Sequence, residues 1–268
     1  MKNIQQEIQN KLSEMEQAHD CRLLFAVESG SRAWGYASTD SDYDVRCVYW
    51  RSAASYLSIM PVRDVIEWEL NEVYDINGWD LKKALQLALR SNISVFEWAD
   101  SPMVYRTSPW HEEFRAVTRS VMQPAWLAAR YIGMAESTYK RYLSREQPPY
   151  KEYFYAIRPL LAARWVLQEQ KPAPVPFADL RVLLPREMED EIEALLELRR
   201  SHTEKAGAAV RPRALDFIRR EIGELRAVID ACPPFGAPDA RVLDDFFRRT
   251  VADEWPWDPP QKSSLGHS

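Results

Sequence analysis

Two acids and a glycine–serine turn carry the chemistry of this chain. Asp42 and Asp44 stand two apart in Asp40-Ser41-Asp42-Tyr43-Asp44-Val45-Arg46, at the start of an apolar run that continues to Trp50. Alternate residues of a strand share a face, so this spacing predicts two carboxylates aimed the same way. Like charges so placed repel unless a cation lies between them. Mg²⁺ suits that position, because it is a hard ion that favours carboxylate oxygens and keeps open positions for phosphate. Upstream, Gly30-Ser31 follows the apolar Leu23-Leu24-Phe25-Ala26-Val27 and offers backbone N–H groups and a hydroxyl to phosphate oxygens. Together they predict metal-assisted nucleotidyl transfer. A hairpin with a polar turn accounts for Ser38, Thr39, Asp40 and Ser41. It does not account for two acids entering an apolar strand.

Gly30-Ser31, the spacer 32–41 and Asp42-Tyr43-Asp44-Val45 resemble the hallmark of the DNA polymerase β superfamily of nucleotidyltransferases. Further segments narrow the resemblance. They are Gly30-Ser31-Arg32-Ala33-Trp34-Gly35, Asn77-Gly78-Trp79-Asp80-Leu81, Glu97-Trp98 with Ser101-Pro102, and Tyr153-Phe154-Tyr155-Ala156-Ile157-Arg158-Pro159. This set is similar to the RNA repair pathway nucleotidyltransferases of the RlaP type, over about residues 20–185.

The resemblance implies three acids that hold divalent ions, Mg²⁺ or Mn²⁺, and a nucleoside triphosphate as substrate. Asp42 and Asp44 match the first two acids. The third is expected on a neighbouring strand between apolar residues. Asp75 in Tyr74-Asp75-Ile76 fits best, with Glu67 in Ile66-Glu67-Trp68 next and Glu69 on the same face as Glu67. Gly30 would let the backbone approach the β- and γ-phosphates, and Ser31 would donate to them. Arg32 either neutralises phosphate charge or forms an exposed ion pair. Arg46 shares the carboxylate face and either balances the acids or holds phosphate. Lys151, Tyr155 and Arg158 are spaced four and three apart, which makes one helical stripe. In related enzymes such a stripe completes triphosphate binding, and Tyr155 would stack on a base or ribose. The plainer reading is a solvated basic face over a core of Phe154, Ile157, Leu161 and Trp165.

The elements that must position these groups read as α+β: a small mixed-sheet, polymerase β-like nucleotidyltransferase domain, then a helical domain. Ile4, Ile8, Leu12 and Met15 predict an amphipathic helix over 3–18. Strands are expected at 21–28, 43–50, 63–69 and 72–76, with a short helix at 31–36. Asn77-Gly78 reads as a turn, and Asp80 as the N-cap of a helix from Leu81 to Arg90. Beyond residue 108 helices are expected over 111–145, 150–170, 186–200, 212–231 and 239–250. Pro159 is expected to bend the second of these, and Lys171–Pro176 to form a stiff connector. The boundaries are 1–107 for the catalytic domain and 108–254 for the helical domain, with a loose tail at 255–268.

The 268 residues are 46% hydrophobic and 12% aromatic, enough for a substantial core. Neither a membrane-length apolar run nor a signal-like N-terminus is present, and the widely spaced Cys21, Cys47 and Cys232 read as free thiols. A cytoplasmic location is expected. The net charge of −5 argues against a broad nucleic-acid-coating surface but permits a local basic groove. A basic group at Arg199, Arg200, Lys205, Arg211, Arg213, Arg219, Arg220 and Arg226 either guides RNA or, given the interleaved acids, forms ordinary helical charge pairs. The resemblance implies an RNA end, such as that of a tRNA, as the acceptor. The alternative is a protein hydroxyl or a small molecule, as in antitoxin-type minimal nucleotidyltransferases.

Overall fold

The computed structural model describes residues 4–38, 41–201, 210–233 and 236–252, without the side chains of 199–201. Helix α1 (Ile4–His19) leads into β1 (Arg22–Glu28), the single-turn helix α2 (Gly30–Ala33) and β2 (Tyr43–Trp50). A short helix α3 (Ala53–Tyr56) precedes β3 (Val65–Leu70) and β4 (Tyr74–Asp80). Then come α4 (Leu81–Ala88), α5 (Ile93–Ala99) and β5 (Val104–Thr107). The strands form one mixed sheet in the order β3-β4-β2-β1-β5, with β2 and β4 parallel and every other pair antiparallel. The rest is helical: α6 (Trp110–Ser120), α7 (Pro124–Thr138), a π-helical turn (Tyr139–Leu143), α8 (Tyr150–Glu169), α9 (Phe177–Leu180), α10 (Glu189–Ser201), α11 (Pro212–Asp230) and α12 (Arg241–Ala252).

The α+β architecture expected from the sequence is thus present. Helix α1 covers one sheet face, where Ile8, Leu12 and Met15 pack on Ala26, Val45, Cys47 and Ile76. The other face lies under α4, α5, α6 and α12, with Phe25, Val48, Leu81, Phe114 and Phe246 in one core. This second face therefore draws on both sides of residue 107. A third core joins α7, α8, α10 and α11 through Leu127, Phe154, Leu161, Leu195 and Phe217, and Tyr36 and Phe96 reach into it from the sheet side. Helix α8 runs through Pro159 without a break. No helix among the described residues is long and apolar enough to cross a membrane, and all three cysteines are free thiols.

Asn77-Gly78 is not a turn. Both residues lie inside β4, where they pair with Arg46 and Cys47 of β2. A Cβ on Gly78 would sit 2.7 Å from the Cys47 sulfur and 3.1 Å from the Tyr49 ring. The glycine is there for close packing, and the strand continues to Asp80. Asp80 then caps α4 as expected, accepting from the Lys82 N–H at 2.9 Å. Its other oxygen takes Arg51 at 3.3 Å and the Tyr56 hydroxyl at 3.0 Å.

His111 is buried in the second face, its ring stacked on Phe25 at 4.2 Å and one nitrogen 3.1 Å from the Ala99 carbonyl oxygen. Burial, aided by the nearby Arg115 charge, lowers its pKa below the ordinary 6.5. The unfolded chain therefore takes up a proton first as pH falls, and the histidine's contribution to stability declines below about 6.5. The expected outcome is a fall in Tm between about pH 7.5 and about pH 5.5 that is smaller in His111→Gln, read by thermal melts at both values. Equal falls in the two proteins would contradict it.

Candidate active site

Parallel pairing of β2 and β4 sets Asp44 directly opposite Asp75, so both carboxylates share one face at the same end of the two strands. Their charges are bridged by Arg46, whose Nη2 lies 2.8 Å from Asp44 Oδ1 and 2.6 Å from Asp75 Oδ2. Nη1 donates to the Asp75 carbonyl oxygen at 2.7 Å. These three side chains are 17–27% exposed, so the site opens to solvent at a rim rather than lying sealed. Of the two roles open to Arg46 from sequence, it here balances the acids.

Asp42 is half-buried just before β2. Its carbonyl oxygen and that of Ser41 accept from Arg32 at 2.9 and 2.6 Å, and the Arg32 guanidinium lies over the Tyr43 ring at 3.9 Å. Arg32 thus clamps the chain entering the strand, a structural task beside the two roles, phosphate contact or exposed ion pair, open to it from sequence. Among the described residues no three His, Cys, Asp or Glu side chains already converge as a metal cage. The donor set is nevertheless the right kind for a hard divalent ion. Two in-register carboxylates already share one cationic group, the place a divalent ion would take from Arg46.

Gly30 opens α2 with φ +59°, and a Cβ there would lie far inside van der Waals contact distance of Asp44 Oδ2. Only glycine permits this turn beside the carboxylate. Ser31 is buried immediately after it. Behind the turn, Glu28 ends β1 with no exposed surface. Its carboxylate accepts from the Asp44 N–H at 3.0 Å and from the Tyr105 hydroxyl of β5. The Ser29 N–H returns to the Asp44 carbonyl oxygen at 2.8 Å, so the chain around Asp44 is held on both sides. Burial pushes the Glu28 carboxyl up to about 7. Sequence reasoning passes over Glu28, because one acid at the end of an apolar strand looks like an ordinary strand terminus. The signal was its unbroken run of buried neighbours.

The alternative third acids lie elsewhere. Glu67 is on the edge strand β3, 64% exposed and paired with Arg63, and Glu69 pairs with Lys11 of α1 at 2.6 Å. The helical stripe also divides. Tyr155 is half-buried and meets the Trp34 ring edge-on at 5.4 Å, which brings α8 against the residue following α2. Lys151, one turn earlier, is half-buried. Arg158 faces inward, against the expectation of a phosphate ligand. It is 1% exposed, bonds Glu97 at 2.7 Å, and gives Nε and Nη2 to the Val175 carbonyl oxygen at 3.2 and 2.8 Å. Its next turn is enclosed by helical core, so a guanidinium there must find internal acceptors. Glu97 takes two further bonds, from the Trp34 indole at 3.1 Å and the Tyr131 hydroxyl at 2.9 Å.

The basic group on α11 and before it is largely neutralised. Arg211 lies 3.7 Å from Glu191, Arg220 3.9 Å from Glu224 and Arg226 2.9 Å from Glu136, while Arg219 pairs with Asp216. Arg213 forms no ion pair among the described residues, the side chains of Arg199 and Arg200 and all of Lys205 lie outside the described residues, and so does the tail 255–268.

The family described as RlaP, the RNA repair pathway DNA polymerase beta family, matches residues 4–249. The chain belongs to this family. The match spans every strand of the sheet and nearly all of α12, well beyond the segment whose motifs carry the resemblance. The uncharacterized protein YcgL of Bacillus subtilis (strain 168) is 38% identical over 262 residues, covering 94% of this chain and 98% of that protein. Membership places the protein in the polymerase β superfamily, whose members are nucleotidyltransferases that typically use divalent metals.

Two substitutions test the geometry. Gly30→Ala forces the turn away from Asp44, and nucleotide binding read by titration with a fluorescent triphosphate is expected to weaken at least about tenfold. Arg158→Ala leaves Glu97 buried without its cation and is expected to lower the free energy of unfolding by about 3–5 kcal/mol, read by urea denaturation. Unchanged values would mean that the turn and the buried pair are incidental.

Proposed function

We propose that this chain is a metal-dependent nucleotidyltransferase that moves a nucleoside monophosphate from a nucleoside triphosphate onto a hydroxyl at an RNA end. The observation that carries the reading is the in-register Asp44–Asp75 pair beside the Gly30-Ser31 turn. Asp42, Asp44 and Asp75 would hold Mg²⁺ or Mn²⁺. A divalent ion bound there neutralises triphosphate charge and lowers the pKa of the attacking hydroxyl.

The chain's own residues do the rest. The backbone at Gly30 and Ser31 lies close to the acids with no side chain at Gly30 to obstruct a phosphate. Arg46, released from the two carboxylates, is a cation tethered two residues from Asp44 and within reach of phosphate oxygens. Glu28 and Arg32 fix the main chain that carries Asp44 and Asp42. Lys151 and Tyr155 present a cation and a ring from α8. The acceptor oxygen forms a bond to the α-phosphorus as the bond to pyrophosphate breaks, and pyrophosphate leaves with the electron pair. Family membership in an RNA repair context supports an RNA acceptor.

Incubation with each α-phosphate-radiolabelled nucleoside triphosphate, Mg²⁺ and cellular RNA should place label in RNA. Asp44→Asn and Asp75→Asn are expected to lose at least about 100-fold of that activity. Glu67→Gln is expected to keep it. Label in protein instead of RNA would transfer the reading to a protein acceptor, and equal labelling by the Asp44 variant would remove it.

A further inference from the structure

The described arginines are mostly engaged by carboxylates, and the exceptions are informative. Between α7 and α8 the chain makes a π-helical turn, with the Ser144 N–H bonded to the Tyr139 carbonyl oxygen at 3.2 Å. Leu143 points inward at 2% exposure, whereas Lys140, Arg141 and Arg145 are exposed. The Arg141 and Arg145 guanidinium groups lie 5.9 and 5.2 Å from the centroid of the half-buried Tyr142 ring. Neither arginine has a carboxylate partner among the described residues. The nearby acids are otherwise engaged or offset. Glu136 is paired with Arg226, Glu152 is buried, and only Glu146 is exposed beside them. The wider π turn closes α7 and turns these side chains outward around the inward-facing Leu143.

This turn also has a defined place. It closes α7, residues 144–149 lead from it to the start of α8, and Arg145 in that segment lies close enough to Glu152 for its charge to act on that carboxyl. Tyr155, one turn beyond Glu152 or Lys151, touches Trp34 at the end of α2. Helix α8 thus has Arg145 near its start and, through Tyr155, touches the residue that follows α2.

Resting on the RNA-end transferase reading, we propose that Lys140, Arg141, Tyr142 and Arg145 form the grip for the acceptor, a single-stranded RNA end fed along α8 toward Asp44 and Asp75. A ring with two guanidinium groups 5.9 and 5.2 Å from its centroid suits unpaired bases, which stack on aromatic and guanidinium faces, while the three cations meet the phosphates. A duplex hides its bases from such a surface. An acidic peptide would meet the charges but leave the ring unused.

The test is fluorescence anisotropy with a labelled single-stranded oligoadenylate of about twelve nucleotides. Wild type is compared with Arg141→Gln/Arg145→Gln and with Tyr142→Ala, beside titrations of a fluorescent triphosphate with Mg²⁺. All three side chains lie at the surface or its edge, and circular dichroism verifies the fold of each variant. The double variant is expected to bind the oligonucleotide at least about tenfold more weakly and to lose about 1.4 from the slope of log affinity against log salt. Tyr142→Ala is expected to weaken binding several-fold with the slope unchanged, and triphosphate binding is expected to stay intact in every variant. Wild-type affinity and slope in the double variant would overturn the grip while leaving the transferase reading standing. Equal binding of a duplex, or equal competition by polyglutamate, would overturn the single-stranded RNA assignment. Loss of triphosphate binding in wild type would instead sink the transferase reading and the grip with it.

Discussion

Two carboxylates held side by side by a backbone ladder require a cation between them. The parallel register of β2 with β4 leaves Asp44 and Asp75 no route apart, since moving either would break the strand pairing. Coulomb repulsion between such groups is modest in water but grows several-fold at a partly buried protein site. Arg46 meets the requirement from within the same strand. The surrounding contacts follow from keeping this charged pair fixed: a glycine where any side chain would collide with Asp44, a clamp from Arg32, and the buried Glu28 bracing the Asp44 amide.

The Arg158–Glu97 pair works differently. Removing two charges from water costs several kcal/mol per ion, and their attraction offsets that only when every remaining donor and acceptor is satisfied. Here Val175, Trp34 and Tyr131 supply those bonds. A pair of this kind contributes little net stability but tolerates only one arrangement of its neighbours. It fixes α5, α7, α8 and the segment after α2 relative to one another, so the glycine–serine turn is held against the helical core at one position.

Much of this was legible in the sequence because the chemistry sits on period-two and fixed-spacing patterns. The opposed Asp44 and Asp75 and the Gly30-Ser31 turn beside them follow from acids on alternate positions, a turn after an apolar strand and an acid between Tyr74 and Ile76. Strand β2 falls at 43–50 as its alternation indicates, and Asp80 caps a helix as its neighbours suggest. Asn77-Gly78 misleads, because a glycine that makes room for Cys47 has the same signature as one that makes a turn. Arg158 misleads for a related reason: helical spacing gives the stripe but not which way the helix is turned, and here the neighbouring core claims the arginine. Helix α5 and strand β5 are short and gain their form from tertiary packing, so local periodicity carries no trace of them. Glu28 is legible only when burial is known.

Helix α12 has a consequence for how the protein is made. Phe246 lies against Trp110 and Phe114 and shares a core with Phe25 and Val48 of the sheet and Leu81 of α4. The sheet's second face is therefore roofed by residues from near the far end of the chain. During synthesis at about 5–20 residues per second, α6 precedes α12 by on the order of ten seconds. For that interval the nascent sheet has its strands and acids but lacks part of its apolar cover. The sheet is thus a late-maturing unit, and its exposed face is where a chaperone or an aggregation partner would meet the emerging chain.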